Sequence, residues 1–591
     1  MKYLHLDGNL NLNSDVFLHI LKQTGKNCLE TIILQKKLRN DELNILNTII
    51  RNQKSLISIK LCQQMPNISF TETFKAIEIM KASKLQCLDF TNCNLNSETA
   101  NLIPKIIEKH RQITSLYLHY NKIESTIGKK IFDTIKTFCE NLKIIAFDDC
   151  EIDSKVGNII GEAIGQQKEL EQLLLNGNKI GSNVSQQIFK MIKQNCFKLS
   201  AINFDNCEIT CNVGNIGDAF ENLTSLTTLT MQNNNLGSKV GGNIFKNIQK
   251  KCVNLIHLCF DNCKFDQEMG DVLGNTIAKQ KNLNALALSN NQLGSKVGRN
   301  IFKNIQNKCF NLIHLCFDNC KFDQEIGDVV GFAIANQKKL NTLVLSNNQL
   351  GSKVGKHIFE NIKNNCFNLC TLAFDNCNLT EYVGNEVGDA IGKQKNISLL
   401  TMQMNNLGSS VGKCIFENIS QNCRNLTRIS FGNCGFNSNI TNIIGEAIGK
   451  QKSLQYLYLQ NNNLGTECCR NIFQNIYQNC SNLKHINLGN CGFDFEIGNI
   501  IGDAIGKQKG VESLVFDNNN LGTEIGRYIF EQILNNNCTS LINITMCNCE
   551  ISDVIRPIVA EVMERQKYLK FCALQKVPVE QCKEFFNYVE F

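Results

Sequence analysis

One apolar pattern recurs through the whole 591-residue chain and leaves few folds open to it. In one kind of unit, Leu283-Asn284-Ala285-Leu286-Ala287-Leu288 leads three positions on to Asn291. In the other, Leu312-Ile313-His314-Leu315-Cys316-Phe317 leads to Cys320. The Asn anchors are Asn121, Asn178, Asn234, Asn291, Asn348, Asn405, Asn462 and Asn519. The Cys anchors are Cys93, Cys150, Cys207, Cys263, Cys320, Cys377, Cys434, Cys491 and Cys549. The two kinds alternate, almost always 27 to 29 residues apart, and most full pairs take 57 residues. Leu236–Gln292 and Leu293–Gln349 agree at 46 of 57 positions, so the array grew by duplication. A single core rarely grows past about 250–300 residues, whereas stacked repeats extend a core in one dimension.

Within each unit the apolar period changes. Leu-x-Leu alternates faces as a short strand does, while Val354, Ile358, Phe359 and Ile362 make one helical stripe. Gly355, with Gly241, Gly298 and Gly412 at the same position, is expected to let helices approach closely. Strand, turn, helix and return predict an α/β solenoid with a parallel sheet inside and helices outside. Helices are wider than the roughly 4.8 Å between strands, so the stack should curve into a horseshoe, with the sheet concave and the helices convex. Degenerate runs at Leu4-His5-Leu6, Ile32-Ile33-Leu34, Ile59-Lys60-Leu61 and Cys572-Ala573-Leu574 bring the total to about 21 strands. A single domain over 1–591 is expected: degenerate repeats and a cap over 1–84, regular repeats over 85–551, and a last repeat and cap over 552–591.

The anchors have a structural reading. Where the chain turns out of the strand its backbone loses sheet partners, and a buried Asn amide or Cys thiol replaces them. Asn348-Gln349-Leu350-Gly351-Ser352-Lys353-Val354-Gly355, alternating with the run Cys366 to Cys377, resembles the ribonuclease-inhibitor family of leucine-rich repeats along essentially the whole chain. Gly327 and Gly384 stand where that family often has a helical cysteine. The resemblance reaches the repeat tails of intracellular immune receptors, but no Gly-x-x-x-x-Gly-Lys-Ser/Thr is present. It implies a scaffold that binds proteins, and sensitivity to oxidants.

Thirty cysteines would ordinarily suggest disulfides. Seventeen fall in two columns: the nine anchors, and Cys139, Cys196, Cys252, Cys309, Cys366, Cys423, Cys480 and Cys538. Each column recurs in every second unit, so equivalent thiols lie about 10 Å apart, beyond the roughly 7 Å that a disulfide spans between Cα atoms. Free thiols fit a reducing compartment. Neither Cys468-Cys469 nor Cys547-Asn548-Cys549 has zinc-site spacing, and no metal or cofactor is expected. The N-terminal run Met1-Lys2-Tyr3-Leu4-His5-Leu6-Asp7 lacks a signal peptide's apolar core, and no apolar stretch is long enough to span a bilayer. The expectation is a cytoplasmic monomer with no membrane partner.

On the concave face the Cys units carry Asp148, Asp205, Asp261, Asp318 and Asp375, replaced later by Gly432 and Gly489. Beside them run His257, His314, Arg428 and His485, and the Asn units add Tyr117, Tyr456 and Tyr458, with Met402 and Met404 nearby. These are the candidate partner-binding residues. The Asp column reads in two ways: an acidic stripe for a partner with a basic surface, or a turn motif copied by duplication. Net charge is +7, and two lysine columns are assigned to a solvated helical face. One is Lys239, Lys296 and Lys353; the other is Lys168, Lys281, Lys338, Lys395, Lys452 and Lys509. Nucleic acid is disfavoured because no aromatics interleave with them. The leading function is a non-catalytic protein-binding scaffold, inhibitory or regulatory toward its partner. The alternative is an activator of a small GTPase, for which Arg39 and Arg51 are the candidate arginines. No Ser/His/Asp order, metal triad or phosphate loop supports an enzyme.

Overall fold

The computed structural model describes residues 2–6, 29–35, 38–61, 70–81, 84–440, 442–536, 538–566 and 568–573. The parts of the expected caps over 7–28 and 574–591 lie outside them. By contact the chain forms two compact units, Met1–Gln292 and Leu293–Phe591. Twenty-one strands are described, eleven in the first unit and ten in the second. Most are three residues long, and the central one is buried: Leu343 in Thr342–Val344, Leu457 in Tyr456–Tyr458. Pairing within each unit is parallel and in register, so that Tyr456 lies between Arg428 and His485.

The returns alternate. Asn units return through long helices such as Gly351–Asn365, whose buried side holds Val354, Gly355, Ile358, Phe359 and Ile362. Cys units return through a single 3-10 turn and a short helix, as in Gln324–Ile326 and Val329–Ala335. Gly327 and Gly384 end those turns with φ of +65° and +63°, a conformation that costs a side chain 1–2 kcal/mol or so. That explains glycine at these positions. Gly355 and Gly412 serve packing instead: a Cβ would come within 2.5 Å of Leu379 and 2.6 Å of Phe436.

The anchors bind the turns together as the sequence anticipates. Asn348 Nδ2 donates to the carbonyls of Phe317 (2.7 Å) and Leu345 (2.9 Å), and Oδ1 accepts from the backbone of Cys320 (3.1 Å) and Phe322 (3.0 Å). The Cys377 thiol donates to the Leu345 carbonyl (3.2 Å). A second brace was not foreseen. Gln394, fully buried, donates to the Cys366 carbonyl (2.7 Å) and accepts from the Leu369 N–H (3.1 Å). Gln167, Gln280, Gln337, Gln451 and Gln508 do the same at the strand-entry edge.

Candidate functional site

The open face of each sheet is built from the two residues flanking each buried strand centre and one position beyond the strand. That last position holds the Asp column, and every member is half-buried. In the first unit Asp148 Oδ1 accepts from the Asn176 N–H (2.8 Å), Asp205 from Gln232 (2.6 Å) and Asp261 from Ser289 (2.5 Å). In the second, Asp375 Oδ1 accepts from the Gln403 N–H (2.6 Å) and the Thr401 hydroxyl (2.5 Å), and Asp318 from the Asn347 amide (3.0 Å). The four bonds from backbone N–H groups have one cause, whereas Asp318 is met by a side-chain amide. As the chain turns, the N–H of this position loses its ladder carbonyl, and the carboxylate of the preceding unit takes its place. Asp517, in an Asn unit, accepts from Cys547 N–H (2.6 Å) in the same manner. Burial outweighs these hydrogen bonds and pushes the Asp205 and Asp375 carboxyls up to about 6. It raises Asp318 and Asp517 as well.

His257 and His314 are exposed, each touching a threonine hydroxyl on a neighbouring strand, Thr228 at 3.3 Å and Thr342 at 3.0 Å. Tyr117 lies 6.1 Å from the ring of His119, whose Nδ1 is 3.0 Å from Asp148 Oδ2. His119 went unnoticed in the sequence, although it holds in its Asn unit the offset that Asp148 holds in the next Cys unit. Of the two methionines, Met402 is buried in the core and Met404 is exposed.

The remaining candidates converge in the second unit. The Arg428 guanidinium lies 4.5 Å from the Tyr456 ring and 5.9 Å from Tyr458, and Tyr456 stacks on His485 at 5.0 Å. Such cation–ring contacts contribute about 0.5–2 kcal/mol. His485 Nε2 lies 3.5 Å from Glu512, which also meets Lys484 at 3.1 Å. Burial lowers the His485 pKa against the pull of Glu512. The Asp column gives way here to Gly432 and Gly489, and Gln460 lies over Gly432, where a Cβ would come within 2.5 Å of its amide. Gln460 Nε2 reaches Gln403 Oε1 (3.0 Å), two units away. Gln460 Oε1 and Ser430 Oγ are buried without a hydrogen-bond partner among the described residues. Arg39 is paired with Asp41 (3.0 Å) and Glu42 (3.6 Å), and Arg51 is 3.9 Å from Glu72.

A family model described as Leucine Rich Repeat matches residues 453–476. The ribonuclease inhibitor of Sus scrofa is 21% identical over 354 residues, covering 60% of this chain and 77% of its own. The chain is a leucine-rich-repeat solenoid similar to the ribonuclease inhibitors. Its repeats are also 25% identical over 269 residues to NACHT, LRR and PYD domains-containing protein 5 of Mus musculus. That match covers 45% of this leucine-rich-repeat protein and 23% of the relative, so the chain spans under a quarter of that relative's length. Among solved structures, the TLR13-ssRNA13 complex is similar over 93% of this chain and 71% of that one, at 15% identity and a TM-score of 0.36. No described helix is long and apolar enough to cross a membrane.

Proposed function

We propose that this leucine-rich-repeat protein is a non-catalytic scaffold that binds another protein through the open face of its sheets and inhibits or regulates it. The observation that carries the reading is the cluster of Arg428, Tyr456, Tyr458 and His485. Tyrosine and arginine dominate the energetics of protein interfaces when they sit together and are desolvated by the partner. In the first unit the face carries Asp89, Asp148, Asp149 and Asp205, which suits a partner with a basic surface. Tyr117, His257 and His314, with Asp261, Asp318 and Asp375, complete the proposed contact residues. In this reading the chain acts as one repeat domain over 1–591, monomeric and cytoplasmic, with its thiols reduced.

The test is affinity capture from lysate in reducing buffer, with two variants beside the wild type. One carries Arg428→Ala, Tyr456→Ala and Tyr458→Ala; the other carries Asp→Asn at 148, 205, 261, 318 and 375. Asparagine keeps an acceptor oxygen for the turn and removes only charge. A partner held by the wild type and lost by the first variant supports the cluster as the anchor, and weaker capture by the second adds the acidic face. Equal capture by all three sinks the reading.

A further inference from the structure

The second unit has another surface, along the edge where the chain enters its strands. Eight of the loops of this unit that lead into strands cover residues 308–313, 336–341, 364–370, 393–398, 421–427, 450–455, 478–484 and 507–512. Their one acidic residue is Glu512. They present Lys338, Lys395, Arg424, Lys452 and Lys509, all exposed and none in an ion pair among the described residues. Phe310 stands one loop before Lys338 and Phe367 between Lys338 and Lys395, 54% and 51% exposed. Glu512 is engaged by Lys484 and His485.

The edge is braced. Each lysine follows a fully buried glutamine: Gln337, Gln394, Gln451 and Gln508 bond the neighbouring loop through their amides. The lysine carbonyls are held too, Lys338 by Asn368 (3.0 Å), Lys395 by Asn425 (3.2 Å) and Lys452 by Asn482 (3.0 Å). Equivalent positions of successive turns therefore lie in one row, with cations about 10 Å apart, two strand spacings.

Lysines beyond a helix C-terminus also offset its dipole, which would account for some of them. It does not account for the missing carboxylates. The first unit has the same helix ends, yet its matching loops add Glu140, at the place of Phe310, and Glu169, paired to Lys198; Glu171 matches Glu512, and each of these two meets a lysine.

We propose that this rim of the second unit lies on an anionic lipid surface, its lysines at headgroup level and Phe310 and Phe367 entering the apolar boundary. A flat target meets every turn of the row at once, whereas a globular acidic protein would meet only a few. The cations are chiefly lysine, a hydrated point charge suited to a diffuse negative surface, rather than the arginine that reads phosphates in a fixed geometry. Exposed phenylalanines beside lysines are what an interfacial surface needs. The expectation of no membrane partner rested on the lack of a bilayer-length apolar run, which bears on crossing a membrane and not on lying against one.

The experiment is co-sedimentation of the full chain with phosphatidylcholine vesicles, with and without phosphatidylserine, at low and high salt. The wild type should pellet with the anionic vesicles only. Lys338→Gln, Lys395→Gln, Lys452→Gln and Lys509→Gln together should weaken binding roughly 100-fold or more. Phe310→Ser with Phe367→Ser should remove the binding that survives high salt. All six positions are exposed, so an unchanged melting curve shows that the variants fold. Equal binding by the quadruple variant, or equal binding to neutral vesicles, overturns the proposal. So does retention of an oligothymidylate or of polyglutamate with no binding to anionic vesicles. None of these outcomes involves the sheet face, so the two proposals fail separately.

Discussion

At the scale of the residue, Asp375 shows two demands meeting on one carboxylate. It terminates a ladder by accepting from Gln403 and Thr401, and it does so half-buried, with its pKa raised to about 6. A carboxyl whose pKa is higher folded than unfolded binds its proton more tightly in the native state. The folded state therefore gains stability as pH falls through about 6 toward the ordinary value of 3.8, and is penalised above that window. The penalty is on the order of 3 kcal/mol. Asp375→Asn keeps the acceptor and removes the charge, so it should match or exceed the wild type in a urea melt at about pH 7.5 and lose part of the pH dependence. Asp375→Ala leaves the Gln403 N–H unbonded and should cost about 1–3 kcal/mol at any pH. An Asn variant as unstable as the Ala variant at neutral pH would show that the charge itself holds the turn.

At the scale of the element, the anchors and braces tie each loop to its neighbours, and the cysteines report on that coupling. Burial raises Cys139, Cys423, Cys480 and Cys538 to about 11 and Cys196, Cys252, Cys309 and Cys366 to about 12. Little thiolate exists at neutral pH, and reagents must wait for the structure to open. Cys211 is exposed. Limited labelling with a thiol reagent, followed by intact mass, should therefore yield two populations: molecules labelled at Cys211 and a few half-buried sites, and molecules labelled throughout the buried columns. A graded ladder of intermediate masses would mean that the units open one at a time. The anchors were legible beforehand because Asn and Cys are rarely so regular unless the backbone requires them. The glutamine brace was not, since Gln337-Lys338 looks like any polar loop until Gln337 is found fully buried. For the same reason Phe310 gave no sign of its exposure: among so many core phenylalanines, a solvent-facing one is invisible in a string of letters. The convergence of Arg428, Tyr456 and His485 was half legible. Their common face follows from strand alternation, but the distances at which Arg428, Tyr456 and His485 meet are set by the side-chain conformations that packing selects.

At the scale of the whole molecule, the repeat makes a statement about tolerance. Residues Leu350–Asn406 form one complete Asn–Cys pair inside the second unit, and their removal joins Gln349 to Leu407. The backbone and anchor contacts of the following turns have equivalents waiting for them, although Gln460 would meet Ser346 in place of Gln403. Cys434 donates to the Met402 carbonyl (3.2 Å), and after excision it would meet Leu345, to which Cys377 donates at the same distance. Gly408 and Gly351 share a φ of +71°, so the helix entry is unchanged. In a stack whose stability is a sum of nearest-neighbour terms, such an excision removes enthalpy and little else. The shortened chain should fold, with a melting temperature within a few degrees of the wild type and a calorimetric enthalpy lower by about a tenth. Removing only residues 378–406 should not be tolerated. It places the Cys377 turn directly before the Cys434 turn and deletes Asn405, whose Oδ1 accepts from the Cys377 N–H (3.1 Å). Two neighbouring turns would then share one kind of anchor, and the Cys377 N–H would lose its acceptor. If both excisions melt alike, the alternation is only a record of duplication; if the half-pair alone collapses, the Asn–Cys pair is the unit in which this protein folds.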